Sequence, residues 1–314
     1  MKLEARVKIA MILVIVVLDA VWISVSNVRF DWPGAVQLAV VAPVLALVWA
    51  YYALRRGEPA LATMARETLF LLVFSGATAL FSYLVTSLGL PTIDETLVAV
   101  DAAIGFDWMA YVGFVNARPW LGDLSTLFYL SSLPLIALAV AVLPLIGKAD
   151  RAEEMLMTVM IGALVAILVS GLLPASGALA YYKPPAEFYL QNGPLVDLAY
   201  KQTFFDLRDG APVLFSLAEP KGLIAFPSYH VALGAILMLS LRDMPRFLVP
   251  VVLVNGTMIL TTPIDGGHHM IDGLAGLVLG LVSFRLSLGL RALIARREAS
   301  RASGAAIPAP VPAE

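Results

Sequence analysis

All three histidines of this 314-residue chain lie in two short strings, FPSYH (226–230) and HHMID (268–272), each opening an apolar run. An unpaired ring nitrogen away from water costs free energy, so an apolar chain has little structural use for histidine. Confined to two helix mouths, the rings point to a site. Imidazole titrates near neutral pH, and it can accept, donate or carry a phosphoryl group. His268 and Asp272 are four residues apart, which places ring and carboxylate on one helical face, one turn from each other. A carboxylate so placed holds an imidazole in one tautomer, so His268 reads as the nucleophile and Asp272 as its orienting acid. His269 projects about 100° away from His268 around the helix and reads as a possible substrate contact. Gly266 and Gly267 permit a tight turn or close approach just before it.

In the other string Pro227 and Ser228 read as a helix start, with Ser228 able to cap. Free amides at such a start can bind an anion, and His230 is then placed to protonate a leaving oxygen. Phosphoryl transfer also needs cations, because it is mostly positioning and charge neutralisation. Lys201, Arg208 and Lys221 precede FPSYH. Arg208, whose fork can grip two phosphate oxygens, is the leading cation; Lys201 is a second, and Lys221 reads as a surface contact to headgroups. His230, His268 and Asp272 are also permitted zinc ligands, but nothing else marks a metal, and the reading requires neither metal nor cofactor.

The elements that must hold these residues are apolar. Hydrophobic residues make up 60% of the chain and charged ones 14%, and the mean hydropathy is +0.86. Such a chain is an all-α, polytopic membrane bundle. Eight spans are expected, at 7–26, 34–54, 67–89, 125–147, 154–174, 225–241, 246–263 and 269–292. The N-terminal run shows no small-residue cleavage site and reads as a retained helix. Fifteen of the 21 Lys and Arg residues then fall in the segments on the side of the termini, which puts both termini in the cytoplasm and both histidine strings outside. The setting is a multi-pass cell membrane, a bacterial inner membrane, with membrane lipids as partners and no nucleic acid or obligatory protein partner. The absence of cysteine excludes disulfides and thiolate sites.

Residues 90–124 read as one or two helices in the headgroup layer, anchored by Trp108 and Trp120. Residues 175–224 form a long, proline-punctuated outer segment of the kind that carries function. Asp19 reads as a hydrogen-bonding acid within the first span, and Gly276 and Gly280 as a close helix contact.

FPSYH and GGHHMIDGLAG resemble the second and third signature strings of the type 2 phosphatidic acid phosphatase superfamily, usually PSGH and SRxxxxxHxxxD. The first string, KxxxxxxRP, has its spacing met by Lys201 and Arg208, with Asp209 in place of proline. The resemblance implies a six-helix catalytic core within residues 61–298 and two added helices in 1–60; the tail at 299–314, rich in Ala, Pro and Ser, reads as disordered. It also implies a phosphohistidine on His268, acid–base work by His230, and phosphate contacts from Ser228, Arg208 and Lys201. Thr261 and Thr262 stand where Ser-Arg is expected, and Tyr229, a possible substrate contact, replaces glycine. Both departures are similar to the branch containing inositol phosphorylceramide synthases, which pass a phosphorylated headgroup to another lipid's hydroxyl. The expected activity is metal-independent cleavage of a lipid phosphoester, with transfer to water or to a lipid or sugar hydroxyl. The rival reading is a lipid transporter or scramblase, which predicts charged or broken helices near the membrane midplane.

Overall fold

The computed structural model describes residues 2–185, 188–189 and 193–304, with side chains as far as 300. The chain runs α1 (Leu3–Ile23), β1 (Val28–Phe30), α2 (Val36–Tyr51), α3 (Pro59–Thr86), α4 (Asp94–Ala103), α5 (Trp108–Asn116), α6 (Pro119–Leu145) and α7 (Ala149–Leu172). It continues through α8 (Ala178–Tyr182), α9 (Leu198–Arg208), β2 (Val213–Phe215), α10 (Tyr229–Ser240), α11 (Pro245–Asp265) and α12 (Met270–Gly304). Proline opens α3, α6 and α11 at their first turn, where its missing N–H would be unpaired anyway.

The molecule is an all-α membrane bundle, but the count differs from the eight spans expected. Among the described residues six helices are long and apolar enough to cross a bilayer, or seven if α4 and α5, bent by 78°, count as one. The two shortfalls have separate causes. The first expected span, α1, has the length but carries Glu4, Arg6, Lys8 and Asp19. Expected over 225–241, α10 is only 12 residues long, about 18 Å against a hydrocarbon core of about 30 Å. Every residue from 231 to 237 is buried, because α10 is packed among α6, α7, α11 and α12. A helix apolar all round belongs in a protein core.

Close contact joins the two histidine-bearing helices. A Cβ on Gly276 of α12 would collide with the Ser228 carbonyl, and one on Gly280 would lie 2.8 Å from Ala235 Cβ. The absence of side chains there lets α12 lie against α10.

At the opposite end of the bundle the charges gather. Lys8 Nζ pairs with Glu67 at 2.6 Å, Arg66 with Glu153 at 2.5 Å, Arg242 with Glu154 at 2.7 Å and Arg291 with Glu4 at 3.0 Å. Lys8 and Glu67 are fully enclosed. The Leu3 N–H donates to Glu298 at 2.7 Å, so both ends of the described chain lie at this end.

The segments outside the long helices also depart from expectation. Residues 90–124 form α4, α5 and the start of α6, and Trp108 is buried within the protein. Its Nε1 donates to Pro263 at 3.0 Å and its ring stacks on Tyr182, while Trp120 remains exposed. Within 175–224 lie α8, α9 and β2, and β2 pairs in parallel with β1, Val28 opposite Val213. The α1 end is thereby stitched to the segment preceding FPSYH. Every residue of α2 keeps some exposure as it leans on α3. The helix α12 continues through 299–304, part of the stretch expected to be a disordered tail; 305–314 lie outside the described residues. Asp19 is buried, yet its Oδ1 has no partner among the described residues, so that oxygen does not make the expected interhelical bond.

Candidate active site

The site forms where α11 turns into α12. Gly267 takes a left-handed backbone (φ 61°), and its carbonyl accepts from the Leu179 N–H at 3.2 Å. His268 and His269 follow, and α12 begins at Met270. Asp272 closes back on the turn: its Oδ2 stands 3.1 Å from His268 Nδ1 and accepts the His269 N–H at 2.9 Å. Nδ1 is thus the ring nitrogen of His268 that the carboxylate engages.

The second string is tied to the first through backbone. Ser228 N–H donates to the Asp272 carbonyl at 2.9 Å. Ser228 occupies the N-cap position of α10, but its hydroxyl caps nothing, contrary to expectation. That hydroxyl is buried without a partner among the described residues. His230, in the first turn of α10, stacks on Tyr129 with centroids 4.7 Å apart. Tyr229 donates to the Val159 carbonyl at 2.9 Å.

His230 and His268 open together onto a cavity of about 510 Å³. Lys201 and Lys221 line its polar end, and Leu71, Phe74, Ile136 and Leu233 its apolar walls. On α3 the lining runs from Leu71 to Ser82, about 16 Å of helix. Ser75 of α3 and Leu133 and Ala137 of α6 both line the cavity and are exposed, so it opens sideways between these helices.

The cations are arranged differently from expectation. Lys201 is 4% exposed; burial lowers its pKa to about 8, against the pull of the Asp272 and Asp94 carboxylates. Arg208 does not line the cavity. Seven residues of helix carry it about 10 Å past Lys201, where it donates to the Leu90 carbonyl at 2.5 Å and lies over the Phe204 ring. Lys221, read as a surface residue, is the cation that lines the cavity instead, with its Nζ donating to Thr203 at 2.9 Å.

His269 is also displaced from its expected role. It is 1% exposed and does not line the cavity. Its Nε2 stands 3.5 Å from Asp94 and its Nδ1 3.7 Å from Asp101, ion-pair separations longer than hydrogen bonds. The sequence reading assigned Asp94 and Asp101 no role. Their spacing of seven, two turns of α4 on one face, was the available signal.

Thr261 and Thr262, in place of the expected Ser-Arg, both donate back to the Met258 carbonyl within their own helix. Among the described residues no group of three His, Asp or Glu side chains is arranged to hold a metal ion, and the three named for zinc form no such group.

A family model described as the PAP2 superfamily matches residues 95–286, more than half of the chain. The chain belongs to this superfamily. The match takes in both histidine strings and the Lys201 helix, and leaves α1 to α3 outside it. No curated protein and no solved structure was found to match the chain.

Proposed function

We propose that this PAP2 superfamily member is a lipid phosphatase or phosphotransferase that works through a phosphohistidine. One observation carries the reading: two histidines, one held by a carboxylate, open with lysines onto a cavity whose other walls are mostly apolar side chains, with a few serine, threonine and tyrosine hydroxyls among them. Such a pocket suits a phosphate ester with an apolar tail.

In the first half-reaction His268 Nε2 attacks phosphorus. The P–N bond forms, the P–O ester bond breaks, and the departing oxygen takes a proton from His230. Asp272 supports the charge that develops on the His268 ring. Lys201 and Lys221 face the non-bridging oxygens, with the Ser228 hydroxyl as a further donor. Arg208 acts outside this contact set. In the second half-reaction His230 removes a proton from the acceptor, whose oxygen attacks phosphorus as the P–N bond breaks. With water as acceptor the product is free phosphate; with a lipid or sugar hydroxyl it is a new phosphoester, as in the inositol-phosphorylceramide-synthase-like branch. The cation-rich end of the bundle lies in the cytoplasm and the site on the opposite face of the membrane.

Purified wild type and His268→Ala are incubated with phosphatidic acid, an isoprenyl diphosphate, a phosphatidylglycerol phosphate, a phosphoinositol lipid and lipid alcohols, and the products are read by mass spectrometry. Dephosphorylated lipid from wild type alone identifies a phosphatase, and a new headgroup on an alcohol a transferase. No product from either protein overturns the enzymatic reading.

A further inference from the structure

His269 is a buried ring outside the reaction just described, and its surroundings are unusual. Each of its nitrogens faces a carboxylate oxygen: Nε2 faces Asp94 Oδ1 at 3.5 Å and Nδ1 faces Asp101 Oδ2 at 3.7 Å. A carboxylate only accepts, so a ring flanked this way is matched at both nitrogens only when both carry a proton.

Those same two oxygens hold backbone. Asp94 Oδ1 accepts the Gly177 N–H at 3.0 Å, and Asp94 Oδ2 accepts the Ser176 N–H. Asp101 Oδ2 accepts the Met270 N–H at 2.9 Å, and Asp101 Oδ1 the Ile271 N–H. One carboxylate therefore fixes the turn before α8 and the other caps the start of α12. Two carboxylates on one face of α4 repel each other in a buried place, and a cation between them removes that repulsion.

Both tethered segments touch the reaction machinery. The α12 start carries His268 on one side of His269 and Asp272 on the other, with Asp272 accepting the His269 N–H. The turn at Gly177 backs onto Lys201: a Cβ there would lie 3.3 Å from Lys201 Nζ and 2.7 Å from the Gly267 carbonyl.

We propose that His269 is a positioning residue: as an imidazolium between Asp94 and Asp101 it clamps α4, the 176–177 turn and the α12 start together, and so sets where His268 and Lys201 stand. The catalytic consequence rests on the function proposed above; the clamp itself does not. The groups around the ring are Asp94 and Asp101 of α4, Tyr181 and Tyr182 of α8, Asp272 of α12, and Lys201 of α9 behind Gly177. Burial opposes the charge on His269, and the Asp101, Asp94 and Asp272 carboxylates more than offset it, raising its pKa to about 9.

With only three histidines in the chain, nitrogen NMR of histidine-labelled protein in detergent micelles resolves each ring, and single substitutions assign them. The expected result is a His269 ring protonated at both nitrogens at pH 8, titrating near 9, with its midpoint lowered by at least one pH unit in Asp101→Asn. His269→Gln shifts the His268 resonances, and His269→Lys, which restores a cation, returns them toward wild type. A neutral His269 at pH 8 overturns the proposal, as do His268 resonances that His269→Gln leaves unmoved in folded protein. If His269→Gln does not fold, Asp94→Asn and Asp101→Asn are read in the same way. Phosphatidic acid hydrolysis is assayed in parallel: a charged His269 acting on His268 in an inactive wild type supports the clamp and counts against the catalytic reading alone.

Discussion

The Ser228 N–H donates to the Asp272 carbonyl at 2.9 Å, which ties the string bearing His230 directly to the string bearing His268. Only a close approach of α10 and α12 allows this bond, and Gly276 provides it by having no Cβ to meet the Ser228 carbonyl. The relative position of the two rings therefore depends on a residue that does no chemistry.

Gly276→Ala tests that dependence. Overpacking at a helix contact destabilises by about 1–3 kcal/mol, and a displacement of about 1 Å at a reacting centre can lower the rate about 10²-fold. The variant is expected to fold, to melt at a lower temperature, and to lose much more in kcat than in KM. Unchanged kcat in a folded variant would show that the spacing of the rings does not depend on this contact.

The two cavity histidines separate by the step they serve. In the proposed mechanism His268 supplies the nitrogen that bonds phosphorus, so His268→Ala is expected to abolish turnover. His230 is the proposed general acid and base, so His230→Ala is expected to lose about 10²–10⁴-fold in kcat. His269→Ala leaves a measurable fraction, because that ring touches no substrate. Steady-state kinetics on one phosphate ester rank the three, and greater residual activity in His268→Ala than in His269→Ala would reassign the nucleophile.

Lys201 makes the pH profile informative. Burial lowers its pKa to about 8, so its positive charge is present below that pH and is lost as pH rises through it. Activity that relies on the cation falls on the alkaline side near pH 8. Lys201→Arg, which stays charged there, moves that limb upward, whereas Arg208→Ala leaves its position unchanged. For stability the sign is opposite: between about 8 and the ordinary lysine value the unfolded chain binds more protons than the folded one, so this residue's contribution rises with pH. His269 contributes in the other direction, with stability fully present below about 6.5 and lost as pH rises through about 9.

These residues also show what could be read from the sequence. The two histidine strings and the spacing of His268 to Asp272 are local, and local spacing on a helix translates directly into geometry. Arg208 stands outside the cavity lining because a spacing of seven preserves the face of a helix while moving about 10 Å along it. The place of Lys221 at the cavity and the hold of the Asp101 carboxylate on a helix that begins 169 residues later both come from tertiary contacts, which leave no local signal. For α10, hydropathy alone does not distinguish a short helix buried in protein from one that crosses lipid. The β1 to β2 pairing joins two three-residue strands far apart in sequence, with no local signal to connect them.

At the charged end, Lys8 and Glu67 form a buried ion pair at 2.6 Å, and Lys8 Nζ also donates to the Glu153 carbonyl at 2.9 Å. A buried charge left with no partner costs about 3–5 kcal/mol, but Arg66 also pairs with Glu67 at 2.7 Å, so removing Lys8 costs up to the low end of that range, about 3 kcal/mol. Lys8→Met is expected to lower thermal stability in detergent by that order, and Lys8→Met with Glu67→Gln to recover part of the loss. A double-mutant cycle on the melting transition measures the coupling. Additive effects would show that the contact contributes little to holding α1 on the bundle.

Orientation can be tested directly, because the chain has no cysteine to interfere with labelling. Glu219 lies in the segment leading to FPSYH and is exposed; Arg56 lies in the turn after α2 and is also exposed. The two positions occupy opposite ends of their neighbouring helix: the Arg56 turn leads into α3 at Pro59, while Tyr83, near the other end of α3, accepts the Lys221 N–H. Glu219→Cys is therefore expected to react with a membrane-impermeant maleimide on intact cells, and Arg56→Cys only after lysis. The positive-inside bias of Lys and Arg sets this direction. The reverse labelling pattern would invert the protein and place the site on the cytoplasmic leaflet, changing the lipid pool from which its substrate is drawn.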